Sequence, residues 1–336
     1  MKKEELKESE PVVEEPKTEE TTPVQEEQPV NAPQAYVYND EVLQQIENNR
    51  QDFYKGYRTG SIFKWVIAFL SIGLLVFAFL GIPNMIPDNN VLRLSLMVTL
   101  GLISLLSMIL YTTLSKFSLN KKAKKYFAEY YDSVTKYVTS DEKFSDVFCD
   151  SQGKLERAEF DDNMLFKDVE MIGSRGLTTF KYGSCEAKVC DLAAQVKYER
   201  RMKPVFVGKY VVAPAKYEES DPILIYIKGD EKRSLPPTNV ENFKLVLDDA
   251  KLAVYSENPN WSKFLTAKLK NKLLQIKNGN SLVDIAITFK AGKMFVCLGY
   301  DDDIMVLPLQ KPFNPKPTEE YKVELNKLLK IVEELN

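Results

Sequence analysis

The sequence predicts an α+β protein: a two-helix transmembrane hairpin followed by a cytoplasmic domain with a mostly antiparallel sheet and packed helices. Three observations predict it. Two apolar runs, residues 62–82 and 94–115, carry a single early charge, Lys64, and are separated by the short segment PNMIPDNNV and Arg93; each has the roughly 20 apolar residues that cross about 30 Å of hydrocarbon. Lys and Arg cluster on the outer flanks of the two runs. Beyond them, strand-like stretches follow one another with hairpin connections and no alternating strand–helix repeat, which predicts antiparallel pairing and excludes a Rossmann-type sheet.

Residues 1–35 form an acidic tail, rich in Glu and in Pro11, Pro16, Pro23, Pro29 and Pro33, with no aromatic residue before Tyr36. Such a segment buries too little apolar surface to offset its conformational entropy, so it is expected to be disordered, a solvated spacer or a docking arm for a basic partner or for the basic stalk after the second run. Residues 36–60 predict a cytoplasmic helix: Val42, Leu43, Ile46, Phe53, Tyr54 and Tyr57 share one side, and Asp40 is placed as N-cap.

Residues 61–115 hold the two spans. Arg50, Lys55 and Arg58 precede them, Lys64 stands at the start of the first, and Lys116, Lys121, Lys122, Lys124 and Lys125 follow. The positive-inside rule then places both termini and the C-terminal domain in the cytoplasm, with Trp65 and Tyr111 at the inner interface. Both runs are apolar on every face, which a soluble core would have to be very large to bury. The first begins only at Ile62, too late for a signal peptide. Gly73 and Gly101, with Ser71, Ser104 and Ser107, suit close packing within the hairpin or between copies.

Residues 116–139 read as a basic stalk, helical over 119–138. Its five lysines, Lys116, Lys121, Lys122, Lys124 and Lys125, are expected to contact anionic lipid headgroups, each worth about 1 kcal/mol near the surface. Tyr126, Phe127, Tyr130, Val134, Tyr137 and Val138 lie at helical spacing and predict a packing face.

Residues 140–336 form the cytoplasmic domain. The pattern predicts a helix over 155–166, then strands over 169–172, 178–182, 185–196, 205–212, 223–227 and 252–255. A helix over 262–277 buries Leu265, Leu269, Leu273 and Ile276. Strands 282–289 and 294–298, joined by AGK, predict a hairpin, and a strand over 304–307 follows. The last helix, 318–335, has Thr318 as its cap and Tyr321, Leu325, Leu328 and Val332 on one face.

These residues carry a resemblance. The double span followed by GLTTFKYGSCEAKV (176–189), FVGKYVV (206–212), LAVYSENPNWSKFLTAKLKNKLL (252–274) and the ITFKAGKMFVCL hairpin (287–298) resembles a bacterial family of membrane-anchored proteins, domain-of-unknown-function family 3137, from about Ser61 to the end. The resemblance implies a common fold at the cytoplasmic face of a membrane and brings no activity or catalytic residue.

The chain has no histidine, which excludes Ser-His-Asp and Cys-His catalysis and His-ligated metals. It has neither a P-loop nor a GxGxxG pattern. GSRG (173–176) reads as an ordinary turn between strands. Cys185 and Cys190 would point to opposite faces of a strand and so would not share a metal. The four cysteines, Cys149, Cys185, Cys190 and Cys297, are expected as free thiols in a reducing compartment. Asp301, Asp302 and Asp303 read as a solvated turn, and Lys263, Lys270 and Lys277 as a solvated helix flank. A net charge of −3 gives no case for nucleic acid.

The expected function is non-enzymatic, without catalytic residue, cofactor or metal: a membrane-tethered module binding a protein or lipid partner, with homo-oligomerisation open. The rivals are an enzyme acting on a lipid or membrane-bound substrate, and a small transporter or channel subunit. Against the latter, the span interiors lack ionisable residues.

Overall fold

The computed structural model describes residues 36–85, 89–229, 235–300, 309 and 311–336. The tail, the strand expected over 304–307 and the Asp301–Asp302–Asp303 run lie outside the described residues.

Two long helices come first. Helix α1, Glu41–Val76, passes through a π-helical turn, Phe77–Gly81, into α2, Ile82–Met85. Helix α3 runs from Asn90 to Val138. Their starts are set by side chains that satisfy otherwise orphaned amides. The Asp40 carboxylate accepts the Val42 N–H at 2.7 Å, as its position predicts, and Asn89 accepts the Leu92 N–H at 3.0 Å. The cytoplasmic helix and the first span read from the sequence are thus one rod, and the second span and the stalk are another. No proline interrupts either junction.

Among the described residues a nine-stranded sheet follows, with β1 (Phe144–Asp150), β2 (Val169–Tyr182), β3 (Cys185–Tyr198), β4 (Arg201–Pro214), β5 (Ile223–Ile227), β6 (Leu245–Asp248), β7 (Leu252–Ser256), β8 (Leu282–Lys290) and β9 (Lys293–Tyr300). Their spatial order is β1-β2-β3-β4-β9-β8-β5-β7-β6, and every neighbouring pair is antiparallel. The AGK hairpin forms as the sequence predicts, with Ala291 and Gly292 at positive φ joining β8 to β9.

The structure corrects several elements. The strands expected at 169–172 and 178–182 are one strand, β2, so GSRG is not a turn between strands. It ends in a bulge at Gly176, whose φ is +65° and whose missing side chain leaves room for the Tyr131 ring; a Cβ there would sit 2.4 Å from it. Strands β1 and β6 were not legible, β1 because its exposed residues do not alternate and β6 because it is four residues long. The helix expected over 155–166 shrinks to α4, Arg157–Asp161. Asn163 ends it by donating to the Phe160 carbonyl and accepting the Leu165 N–H at 2.6 Å.

The helix expected over 262–277 is two short ones, α5 (Trp261–Phe264) and α6 (Ala267–Leu274), broken where the Thr266 hydroxyl caps α6 through the Leu269 N–H. The break still buries Leu265, Leu269, Leu273 and Ile276 but removes the common flank expected for Lys263, Lys270 and Lys277. Helix α7, Lys316–Leu335, begins behind Pro315, so Thr318 is not its cap; it lies buried in the first turn. The stripe Tyr321, Leu325, Leu328 and Val332 is buried as expected.

Helices cover one face of the sheet. Leu43 and Ile46 of α1, Tyr126, Tyr130, Tyr131, Val134 and Val138 of α3, and the apolar sides of α6 and α7 form the larger core there. A smaller cluster on the opposite face gathers Phe160 of α4, Leu165, Phe206, Tyr210 and Phe295. At the centre, β4 and β9 come so close at Gly208 that a Cβ would lie 1.9 Å from the Leu298 carbonyl oxygen.

Candidate functional site: the apolar helical hairpin and its base

Both long helices contain a segment long and apolar enough to cross a membrane, and neither segment is buried by the fold: the shares buried are 17% and 6%. Phe63, Trp65, Phe69, Leu80 and Leu106 are each about two-thirds exposed. An apolar surface of this extent on a folded protein marks a site that something else covers.

What joins the two helices here is small and polar. Ser71 and Ser104 are buried at the crossing; the Ser104 hydroxyl donates to the Ser71 carbonyl at 2.7 Å, and the Ser71 and Ser107 hydroxyls bond at 2.6 Å. Ala78 and Ile82 are buried further along. The serines therefore do what the sequence suggested within the hairpin. Gly73 and Gly101 do not: nothing lies within 4 Å of a Cβ built on either, so neither meets the other helix.

At the base of the hairpin, α1 and α3 flank a groove of about 340 Å³ whose lining includes Phe53, Tyr57, Tyr126, Lys122, Lys125 and Asp52. Phe53 stacks on Tyr126 with ring centroids 4.6 Å apart. The Tyr126 hydroxyl is buried without a hydrogen-bond partner among the described residues, and burial raises its pKa. Lys121, Lys122, Lys124 and Lys125 are all exposed on α3; Lys125 lies 3.6 Å from Glu129. Lys116 belongs to the same helix.

Arg50, read from the sequence as a flanking cation, has another role. It is buried and forks onto Glu47 with bonds of 2.7 and 2.6 Å, while its third nitrogen donates to the Leu309 carbonyl. Glu47 also accepts the Phe313 N–H at 2.9 Å. Burial opposes the Glu47 charge, yet Arg50 and these donors hold its pKa below the usual carboxylate value. The pair ties the segment ahead of α7 to α1.

A second buried pair fastens α3 to the sheet. Asp191 of β3 and Lys209 of β4 are cross-strand neighbours on the helix-covered face and form an ion pair. The Tyr131 hydroxyl donates to the other Asp191 oxygen at 2.7 Å, and the Lys209 ammonium sits 4.9 Å over the Tyr321 ring of α7. A small cleft of about 30 Å³ beside them has room for one water. Sequence reasoning missed this cluster, although a signal existed. Alternation places Asp191 in phase with Cys185, Ala187 and Val189, and Lys209 in phase with Val211 and Ala213, all facing the larger core.

Other buried carboxyls are structural. Glu324 accepts from Tyr300 at 2.7 Å and from the Asn278 N–H at 3.1 Å, and burial raises its pKa. Asp284 is pushed up to about 6 by burial, although it accepts the Leu235 N–H. Cys185 and Cys190 fall in the cores on opposite sides of the sheet, as expected. All four thiols are free; burial raises Cys190 to about 12 and Cys297 well above its ordinary value, which disfavours the reactive thiolate. Among the described residues no three His, Cys, Asp or Glu converge as a metal site requires.

No protein-family model matches the chain, and no curated protein matches it. Among solved structures it is similar to the crystal structure of the mycobacterial trehalose monomycolate transport factor A, TtfA, at 9% identity over 60% of this chain and 95% of that one. The TM-score is 0.33, too low to carry an argument.

Proposed function

We propose that the chain is an integral membrane protein whose helical hairpin, residues 62–82 and 94–115, spans the bilayer and holds the domain of residues 140–336 at the cytoplasmic surface, where it binds a protein or lipid partner. The observation that carries this reading is the exposure of large apolar side chains around both helices, in segments that the fold leaves 17% and 6% buried. At 1.5 Å per residue each run is about 30 Å long, the thickness of the hydrocarbon core. The basic flanks favour cytoplasmic termini, and the lysines at 121, 122, 124 and 125 stand exposed where anionic headgroups would meet them.

Rigid helices that run without interruption from the apolar segments into the domain core support a tethering role. They fix the height of the domain above the bilayer, and tethering raises its effective concentration there, so a modest affinity for a membrane-bound partner suffices. The family resemblance in segments 176–189, 206–212, 252–274 and 287–298 is part of the same proposal.

The test is extraction of native membranes at alkaline pH, together with reporter fusions at the 83–93 loop and the C-terminus. Retention in the pellet with an external loop and an internal C-terminus is expected. Release of the protein into the supernatant would overturn the anchor, and an external C-terminus would overturn the orientation.

A further inference from the structure

We propose that the β3–β4 hairpin tip is a second membrane contact, a basic and aromatic foot that rests on anionic headgroups of the bilayer holding the helical hairpin. The inference rests on the anchor reading above and concerns a surface remote in sequence from the basic stalk.

The direction of β3 follows from its contacts with α3. Tyr131 meets Gly176 and Asp191, while one turn further from the apolar segment Thr135 faces Thr178. Residue 178 pairs with Val189 and residue 175 with Asp191, so increasing residue number along β3 leads back toward the apolar segment. The other end of the β2–β3 hairpin agrees: the Gly183 N–H donates to the carbonyl of Lys143, beyond the end of α3.

Lengths then place the tip. From Lys116, the first charge after the apolar run, to Tyr131 is about 22 Å of helix at 1.5 Å per residue. From Asp191 back along β3 to Tyr198 is about 23 Å of strand at 3.3 Å per residue. The two nearly cancel, so the tip returns to the level at which the apolar surface begins.

What arrives there suits an anionic interface. The tip presents Lys197, Tyr198, Arg200, Arg201, Met202 and Lys203, all exposed, with Glu199 as the single acid. Tyr198 is 66% and Met202 41% exposed, so one aromatic and one flexible apolar side chain stand among four cations. Among the described residues, the ion pairs that β2, β3 and β4 make, Lys181 with Asp146 and Glu186, Lys188 with Glu159 and Lys209 with Asp191, lie elsewhere along the strands. Charge complementarity therefore selects an anionic lipid surface as the occupant, with Tyr198 settling at headgroup level as amphipathic rings do.

The test uses the full-length protein, with Cys149→Ser, in nanodiscs of phosphatidylcholine with or without phosphatidylglycerol. An environment-sensitive fluorophore is placed on Met202→Cys or, as a control at the far end of β3, on Ser184→Cys, and a headgroup-attached quencher reads proximity. Strong quenching at 202 and not at 184 is expected in the anionic discs. Each cation is worth about fivefold in the contact equilibrium, so Arg200→Gln with Arg201→Gln should lower it about 25-fold without changing incorporation of the protein into discs. Equal, weak quenching at both sites in discs that hold the protein overturns the foot and leaves the anchor standing. Failure to enter the discs overturns both. Protection of the tip in native membranes but in neither disc overturns the lipid contact in favour of a protein one.

Discussion

Replacing Lys209 by Met should destabilise the domain by about 3–5 kcal/mol, the cost of leaving one partner of a buried ion pair uncompensated. Methionine keeps the length of the lysine stem and its packing against the Tyr321 ring, so what is removed is the charge that faces Asp191. Asp191 is 2% exposed and retains one strong donor, the Tyr131 hydroxyl at 2.7 Å, which places the expectation toward the lower end of that range. Set against a typical stability of 5–15 kcal/mol, the loss is large. For a domain of this size it corresponds to a fall in Tm of roughly 6–20 °C. The assay is thermal and urea unfolding of the full chain in mild detergent, followed by circular dichroism. The partner variant Lys209→Met with Asp191→Asn removes both charges and should recover part of the loss. A cost below about 1 kcal/mol for Lys209→Met would refute the reasoning, because it would mean that the pair is solvated as a surface pair is.

Two further outcomes test other parts of the molecule. Burial raises Asp284 from 3.8 to about 6. The folded state then binds the extra proton between those values, so its contribution to stability is most favourable below pH 3.8 and is lost as pH rises through 6, by about 3 kcal/mol. Asp284→Asn should therefore gain on wild type between pH 4 and 6.5 in urea unfolding, and a pH-independent difference would show that the carboxyl is not desolvated. In the hairpin, Ser104→Ala removes one bond to the Ser71 carbonyl and should cost only about 0.6 kcal/mol. Ser104→Leu forces a large side chain into the crossing and should lower thermal stability in detergent far more. Equal stability of the Leu variant and wild type would place Ser104 outside the interface.

Legibility in the sequence followed the range of the forces involved. Asp40 as a cap, the AGK turn, the stripe Tyr321–Leu325–Leu328–Val332 and the opposed thiols of Cys185 and Cys190 were readable, because each depends on spacing within one element. The end of α4 at Asn163, the break at Thr266 and the bulge at Gly176 were not. In each a side-chain hydrogen bond or a ring from another element outweighs a weak local helix or strand preference. Of the lysines expected at the membrane surface, those at 121, 122, 124 and 125 are exposed, whereas Arg50, read as a flanking cation, turns inward to Glu47, a partner three residues away on the same helix face.

By itself the sequence determined the two apolar helices, the basic flanks, the α+β class with antiparallel strands, and the exclusion of histidine chemistry, since composition and periodicity act locally and leave a direct trace. Only the tertiary structure decided that the apolar helices run on unbroken into the core, that Asp191 and Lys209 meet beneath Tyr131, and that β3 runs back along α3 toward the apolar segment as its residue number rises. Those facts depend on strand order and on the direction in which β3 crosses α3, contacts between residues far apart in the chain that no local pattern encodes.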